Sequence, residues 1–330
     1  MKILGLSYPD SGCGFHRVVL PLGFMPNVEA FVTNLPTEEK LSEGWDVLLY
    51  NRISVFDNDW AQLKELLNCK VVLDLDDYWV LPANHPNYHT YQQMAERIEN
   101  NIRQADMVTV TNEQLAAKVR PYNNNVHIFP NALPYGQHQF TTDKVPADRT
   151  RIFWAGGSSH EPDIAILKNP IKRLQSHANK ITMVMGGYVE SETWRRMFSH
   201  FTAGLTLSNL PLPGLPPLNY MAIYAHADIM LVPLEQSDWH GCKSNLKLLE
   251  AACKKVPVIC SKVAPYSNDD APVLWVEKQS DWYKNMNYLI NNKQACIDYG
   301  ERLYEWATRE YNFADINARR KAAFENLIGT

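Results

Sequence analysis

Short apolar runs rich in β-branched residues alternate with stretches of helical periodicity along most of the chain. Runs that are apolar on both faces predict parallel strands covered by helices on both sides of a sheet. The pattern predicts strands at 2–7, 47–51, 70–75, 107–110, 126–129, 151–155, 182–186, 227–232, 256–260 and 273–275. Helical periodicity fills many of the intervals, as at 243–254, and it also covers 300–330. The chain is therefore predicted to be an α/β protein.

The alternation of strands and helices stops once and then begins again. Residues 131–150 are polar, contain two prolines and have no clear period, whereas a new strand begins at Arg151. Two doubly wound domains are therefore predicted, at 1–145 and 146–304, followed by a C-terminal helix at 305–330. A chain of 330 residues is long enough to form two such cores. Sheets of this kind bind ligands beyond the carboxyl ends of their strands.

Composition and charge narrow the class of protein. The hydrophobic fraction of 45% is that of an ordinary globular protein, and no apolar run approaches the roughly 20 residues that span a bilayer. We therefore expect a cytoplasmic protein. Six scattered cysteines without a Cys-x-x-Cys pair predict neither a zinc site nor a disulfide framework. Residues 1–150 carry a net charge of −6 and residues 151–330 carry +2, which favours a phosphate-bearing ligand in the second half.

The segment 228–259 carries the strongest functional pattern. A strand is followed by a polar loop and by a helix that begins near Ser244, and free backbone N–H groups at a helix start bind anions. Lys243 and Lys247 lie one turn apart on one helical face and add positive charge for a diphosphate. Glu250 follows one turn later, where its carboxylate can accept two ribose hydroxyls. The alternative is an ordinary amphipathic helix with solvated lysines.

The order Asp-Ile-x-Leu-x-Pro-Leu, polar loop, Lys-Ser-x-Leu-Lys-x-x-Glu-Ala, Pro-Val-Ile resembles the donor-binding segment of retaining GT-B glycosyltransferases. It is most similar to glycosyltransferase family 4 (group 1), the family of sucrose- and glycogen-synthase-like enzymes. That resemblance implies two Rossmann-like domains facing a central cleft, with a C-terminal helix returning to the N-terminal domain. It implies that Glu250 holds the donor ribose and that the backbone of Lys243, Ser244 and Asn245 holds the diphosphate. The family's sugar-contacting glutamate falls on Cys242, which leaves the donor sugar open.

A glycine turn follows the strand at 151–155, within the sequence Arg-Ile-Phe-Trp-Ala-Gly-Gly-Ser-Ser-His. It resembles the first loop of the donor domain in the same family, where Gly156, Gly157 and Ser158 would leave room for a ligand. His160 stands where many relatives carry a phosphate-binding arginine or lysine. The alternative is that this loop only caps the following helix.

A second glycine turn follows the first strand of the chain. It contains Gly14, His16 and Arg17 but lacks the third glycine of a dinucleotide fingerprint, so an NAD site is not predicted. The resemblance implies that these three residues lie at the cleft, where Gly14 and Arg17 would contact donor phosphate and His16 would serve catalysis. A lone Gly-x-Gly carries little weight by itself.

Carboxylates end the strand at 70–75. The resemblance places Asp76, Asp77 and the later His85 on the acceptor side, where they would orient the acceptor hydroxyl or ease its loss of a proton. Helix capping and ion pairing of Asp74 are the alternative. The same pattern also suits a metal-dependent GT-A transferase in which Asp74 and Asp76 bind Mn²⁺ or Mg²⁺. The donor-like segment at 228–259 and the second α/β run argue against that hypothesis.

The resemblance implies a hexosyl- or pentosyltransferase that takes a sugar from a nucleoside diphosphate sugar, UDP-linked by preference. Transfer would go to an acceptor hydroxyl, with retention and with neither a metal nor another cofactor. The acceptor would be a glycan, a lipid-linked sugar or a modified DNA base, the last as in phage enzymes that act on hydroxymethylated pyrimidines. A non-catalytic nucleotide-sugar binding protein and a sugar-nucleotide 2-epimerase are further alternatives.

Overall fold

The computed structural model describes residues 1–54, 56, 63–64, 67–83, 85–205 and 208–329. The chain divides into two compact units. The first unit comprises Met1–Ala132, Gly241–Ser244 and Phe313–Thr330, and the second comprises Leu133–His240 and Asn245–Asn312.

The first unit contains a six-stranded sheet in the order β2-β1-β3-β4-β5-β6. Its strands are β1 (Lys2–Leu6), β2 (Glu29–Thr33), β3 (Val47–Asn51), β4 (Lys70–Leu75), β5 (Met107–Val110) and β6 (Val126–Ile128). Every pair of neighbours in this sheet is parallel. The carboxyl ends of the strands therefore meet at one edge, where doubly wound sheets bind ligands.

Helices cover this first sheet. They are α1 (Gly12–Gly14), α2 (Leu20–Gly23), α3 (Glu38–Leu41), α4 (Tyr88–Gln104), α5 (Glu113–Val119) and α14 (Phe313–Ile328). A π-helical turn, Phe15–Val19, joins α1 to α2. The C-terminal helix α14 belongs to this unit, since Asn317 donates a hydrogen bond to the Pro21 carbonyl at 2.9 Å. The predicted return of the C-terminal helix to the N-terminal domain is therefore confirmed.

The second unit contains a sheet in the order β12-β11-β10-β7-β8-β9, again with parallel neighbours. Its strands are β7 (Thr150–Ala155), β8 (Ile181–Tyr188), β9 (Ser208–Pro213), β10 (Ile229–Val232), β11 (Val258–Ser261) and β12 (Leu274–Val276). The two central strands, β10 and β7, lie side by side. Their carboxyl ends therefore open onto a common position at the middle of the sheet.

The helices of the second unit follow the same alternating pattern. They are α6 (Glu161–Ala165), α7 (Lys168–Lys172), α8 (Glu192–Thr202), α9 (Met221–Tyr224), α10 (Asp238–Gly241), α11 (Leu246–Cys253), α12 (Gln279–Asn291) and α13 (Lys293–Glu310). Short 3-10 turns lie at Ser158–His160, Arg173–His177, Pro217–Asn219 and Tyr266–Asn268. Among the helices of the described residues, none has the length and apolarity to cross a membrane.

Each unit has its own apolar core. Leu48, Leu73 and Val108 are fully buried beneath the helices of the first unit, and Met183 and Leu231 are fully buried in the second. Burying a side chain of this size stabilises the fold by about 1.5–3 kcal/mol relative to leaving it in water. These cores hold the strand ends, and the side chains that follow them, in fixed positions.

Two strands in the structure were not predicted, and both lie at the edge of a sheet. Strand β2 is largely exposed, so its sequence lacks the apolar run that marks a buried strand. Strand β9 contains Pro211 and Pro213 and alternates between half-buried and exposed positions. Proline is tolerated at a sheet edge because an edge strand pairs on only one side.

Candidate functional site

A lysine lies at the carboxyl end of the central strand β7. Lys247, near the start of α11, donates from Nζ to the Ala155 carbonyl at 2.5 Å. The same Nζ lies 5.5 Å from the centre of the Trp154 ring. A Cβ built on Gly156 would lie 3.0 Å from this Nζ and 2.9 Å from the indole. Glycine avoids this overlap, so the indole and the ammonium pack directly against the backbone that follows β7.

Glu250 lies one turn beyond Lys247 on α11 and is 4% exposed. Its carboxylate accepts a hydrogen bond from the Tyr224 hydroxyl at 2.5 Å. Burial raises the pKa of Glu250 to about 7, although the Tyr224 hydrogen bond and the charge of Lys247 oppose this rise. Further hydrogen-bond donors stabilise the ionised form of a buried carboxylate whose pKa lies near 7. Ligand hydroxyls are such donors.

The glycine turn after β7 leads into a 3-10 turn and then into α6. A Cβ on Gly157 would meet no atom within 4 Å, and Ser158 is exposed. His160 is half-buried, and its Nδ1 lies 2.7 Å from Oδ2 of Asp163. The same carboxylate oxygen lies 3.9 Å from Nε2 of His240. The structure therefore places the predicted site residue His160 beside Asp163 and His240, which the sequence patterns did not predict as site residues.

Asn245 occupies the N-cap position of α11. Its side chain is buried and donates to the Tyr311 hydroxyl at 2.5 Å and to Asp269 at 3.2 Å. The side chain therefore fixes the start of the helix within the second unit.

Three residues of the predicted donor segment belong to the first unit. Cys242 is fully buried in the core of that unit. The Lys243 ammonium lies 3.5 Å from Asp77, and its carbonyl accepts a hydrogen bond from Asn112 at 2.8 Å. Ser244 accepts a hydrogen bond from Asn131 at 2.9 Å. A cysteine packs well in an apolar core, whereas a glutamate at this position would be costly there.

Arg17 is an internal anchor of the first unit and is 1% exposed. Its guanidinium donates to both oxygens of Asp74, at 2.9 and 2.8 Å. It also donates to the Phe129 carbonyl at 2.7 Å and to Asn131 at 3.0 Å. A buried ion pair of this kind is stable only when such hydrogen bonds satisfy it. We assign Arg17 to the framework that holds the strand ends together.

Asp76 and Asp77 lie beyond the end of β4, and both pair with Arg52 at about 3 Å. Burial alone would raise the pKa of Asp76, but the charge of Arg52 and hydrogen bonds, including one from Asn51, lower it to about 2. Because guanidinium groups already hold Asp74 and Asp76, these carboxylates do not fit a metal site as they stand. Within the described residues no cluster of three or more acidic, histidine or cysteine side chains is placed to bind a metal ion.

The two predicted histidines of the first unit lie on different elements. His16 is on the π-helical turn, and burial together with the charge of Arg17 lowers its pKa to about 4. It is therefore neutral at pH 7. His85 lies in the loop before α4, where its Nδ1 accepts the Asn87 backbone N–H at 3.1 Å.

A small pocket with an uncharged lining lies at the carboxyl ends of β1 and β3. Hydroxyl, amide and apolar groups line it, from Leu6, Ser7, Tyr8, Ser11, Gly14, Asn34, Asn51, Ile53 and Ser54. None of these residues carries a formal charge. The pocket therefore suits a neutral group that exchanges hydrogen bonds.

Gly14 is held against this pocket by packing. A Cβ at Gly14 would lie 2.2 Å from the Ser7 hydroxyl, whereas a Cβ at Gly12 would meet nothing within 4 Å. We expect Gly14→Ala to lower the free energy of unfolding by about 1–3 kcal/mol, the usual cost of overpacking. Gly12→Ala is the matched control and should leave the urea midpoint within error. Combining Gly14→Ala with Ser7→Gly should restore stability, and failure to do so would contradict this steric explanation.

The sequence patterns missed Asp163, His240 and Tyr224 as site residues. Their contacts join residues that are distant in the chain, so no local spacing indicates them. The only available signal was chemical, namely a histidine and an aspartate three residues apart after a glycine turn.

Comparison with solved structures identifies the architecture. The chain is similar to sucrose-phosphate synthase from Thermosynechococcus elongatus, with a TM-score of 0.66, 15% identity and 99% of each chain covered. It is also similar to HepE from Anabaena in complex with UDP and glucose, with a TM-score of 0.67 and 13% identity over 99% of this chain and 100% of that chain.

A UDP-forming α,α-trehalose-phosphate synthase from Burkholderia xenovorans gives a TM-score of 0.60 at 10% identity, over 84% of this chain and 72% of that one. No protein-family model matches the chain, and neither does any curated protein sequence. Identities this low establish the fold alone. The chain therefore has the GT-B fold, with two Rossmann-like parallel sheets and a C-terminal helix that belongs to the first unit.

Proposed function

We propose that this protein is a glycosyltransferase that takes a sugar from a nucleoside diphosphate sugar bound to its second unit. The observation that carries this proposal is the position of Lys247, Gly156 and Glu250 at the carboxyl ends of the central strands. A cation, a glycine turn and a buried carboxylate lie there in the order that a diphosphate and a ribose require.

The chemistry assigned to each group follows from its charge. Lys247 meets the diphosphate and stabilises the negative charge that builds on it as the sugar leaves. The backbone N–H groups at the turn after β7 and at the start of α11 add positive potential. Glu250 accepts hydrogen bonds from the ribose hydroxyls. These groups supply positive charge without a metal, and we propose metal-independent transfer.

UDP is the nucleotide we propose, with retention of the anomeric configuration. Support comes from the similar structures, of which HepE is described with UDP and glucose and a trehalose-phosphate synthase as UDP-forming. Cys242 lies in an apolar core, so the sugar must be recognised by groups other than the glutamate that the family carries there. The proton NMR spectrum of the product distinguishes retention from inversion.

We propose an uncharged, hydroxyl-bearing acceptor such as a glycan or a lipid-linked sugar. The uncharged lining of the small pocket beside β1 and β3 would suit one hydroxyl group of such an acceptor. A modified base in DNA is the alternative, and the net charge of −6 on residues 1–150 disfavours it. A gel shift on hydroxymethylated DNA at low salt separates the two, since only a DNA-modifying enzyme should retard the duplex.

Release of nucleoside diphosphate tests the proposed activity. The full chain is incubated with UDP-, GDP- and ADP-sugars and a panel of neutral glycans, in EDTA. We expect release from one nucleotide series that depends on the acceptor. Binding of that nucleotide with no release for any acceptor would instead identify a non-catalytic binding protein. A change in the sugar without any acceptor would identify an epimerase.

A further inference from the structure

A buried carboxylate in the second unit faces two imidazole rings. Asp163 lies in α6, and its side chain is 2% exposed. One of its oxygens accepts the Glu235 backbone N–H at 2.9 Å. The other accepts from Nδ1 of His160 at 2.7 Å and lies 3.9 Å from Nε2 of His240.

The hydrogen bond to Asp163 assigns the proton on the His160 ring. A carboxylate only accepts, so Nδ1 of His160 carries a proton. The Ser237 hydroxyl oxygen accepts the His240 backbone N–H at 3.1 Å and lies 3.0 Å from Nδ1 of the same ring. Nε2 of that ring lies 3.9 Å from the Asp163 carboxylate. Both rings therefore face one carboxylate.

Asp163 remains ionised in this environment. Burial by itself would raise its pKa, but the hydrogen bond from His160, the two imidazoles and the Glu235 N–H together lower it below the ordinary value. A permanent negative charge beside two imidazoles stabilises their protonated forms.

The pair lies beside the proposed diphosphate position. The rings of His160 and Trp154 meet edge to face, with centroids 6.1 Å apart. Lys247 lies over the same indole, so the Trp154 side chain contacts both His160 and Lys247. The glycine turn after β7 lies next to them in the chain.

We propose that Asp163 is a positioning residue that holds His160 and His240 as a protonatable pair for the donor diphosphate. This inference rests on the proposed function. The negative charge of a bound diphosphate diester favours protonation of one of the two imidazoles, and Asp163 keeps that imidazolium oriented. Donor binding is then coupled to proton uptake, and it weakens as pH rises through the histidine range.

Other titratable groups surround the pair. Glu161 on α6 is held by Arg196 and feels the charge of His200. Lys247 opposes protonation of the rings, whereas Glu235 and Asp238 are exposed residues of the segment that carries His240. Glu250 titrates in the opposite sense, because its ionised form is the one that accepts ribose hydroxyls. Donor affinity is therefore expected to peak near neutral pH.

Calorimetric titration of the full chain with UDP-glucose tests the inference, since this diphosphate diester does not itself titrate near neutrality. We expect wild-type affinity to fall as pH rises through the histidine range. In Asp163→Asn the fall should move to lower pH by about 1–3 units, the effect of removing a neighbouring opposite charge. The loss of affinity at acid pH, which is due to protonation of Glu250, should stay at the same pH. Asp281→Asn, which alters a carboxylate capping α12, is the matched control.

Proton uptake by the wild type gives a second measurement that needs no variant. Titrations near pH 8 in buffers of different ionisation enthalpy should show net uptake of protons on binding. Zero uptake, or an equal loss of affinity in Asp163→Asn at every pH, would overturn the inference and leave the proposed donor site intact. Absence of nucleotide binding at every pH would contradict the proposed function itself.

Discussion

Lys247→Met is expected to lower kcat/KM for the nucleotide-sugar donor by about 100- to 1,000-fold, the usual effect of removing a charge that stabilises a transition state. The Lys247 ammonium is held between the Ala155 carbonyl and the Trp154 ring. It is therefore already oriented before a diphosphate arrives. Methionine has a similar length and fills the space without charge. Initial rates at varied donor concentration measure the loss.

Lys254→Met provides the matched control for this substitution. Lys254 lies at the other end of α11, is buried, and donates from Nζ to the Thr141 carbonyl at 2.7 Å. Lys247 is half-buried. Both variants lose a lysine that binds a backbone carbonyl, and the more deeply buried Lys254 should lose at least as much stability. Equal loss of kcat/KM in the two variants would show that Lys247 acts only through stability.

Glu250→Gln is expected to weaken donor binding by about 10- to 100-fold, because hydrogen bonds to a charged group contribute about 1.5–3 kcal/mol. Glutamine keeps the shape and can still accept from the Tyr224 hydroxyl. It cannot offer two anionic oxygens to the ribose. Dissociation constants from calorimetry at pH 8 measure the difference.

The same substitution should stabilise the unliganded protein. The folded-state pKa of Glu250 is about 7, above its ordinary value of 4.5, so the folded state favours the protonated form. Stability contributed by that proton is present below pH 4.5 and is lost as pH rises to 7. Glutamine does not titrate. At pH 8 the Glu250→Gln variant should therefore unfold at a higher temperature than the wild type. Its free energy of unfolding should exceed that of the wild type by at most on the order of 3 kcal/mol. At pH 4 the two proteins should unfold at nearly the same temperature.

Glu301→Gln is the control for this pH dependence. Glu301 is partly exposed and pairs with Lys255, so its replacement should change thermal stability little at either pH. A Glu250→Gln variant that is less stable than wild type at pH 8 would contradict the burial of an ionisable carboxyl at this position.

Hydrophobic patterning predicted most of the fold because buried parallel strands have continuous apolar runs. Ten strands could be predicted in this way, and the two that were missed lie at sheet edges where that signal is weak. Spacing along one helix likewise placed Lys247 and Glu250 on one face, since residues three apart in a helix are neighbours. These predictions depend only on local geometry.

The remainder of the site depends on contacts between distant parts of the chain. Cys242 and Lys243 are close to Lys247 in the sequence, yet they belong to the first unit. Arg17 follows a glycine turn that suggests a ligand, but its guanidinium is bound to Asp74. Periodicity predicts which residues share a face of an element. It does not predict which core a loop joins or which cation a carboxylate pairs with.

Calorimetric titration of the full chain with UDP in EDTA tests the central claim most directly, with Glu250→Gln and Lys247→Met measured alongside. The account predicts binding at one site in the wild type that survives chelation and is weakened in both variants. Failure of UDP, GDP and ADP alike to bind, or binding that neither substitution weakens, would contradict a nucleotide-sugar site on the second unit.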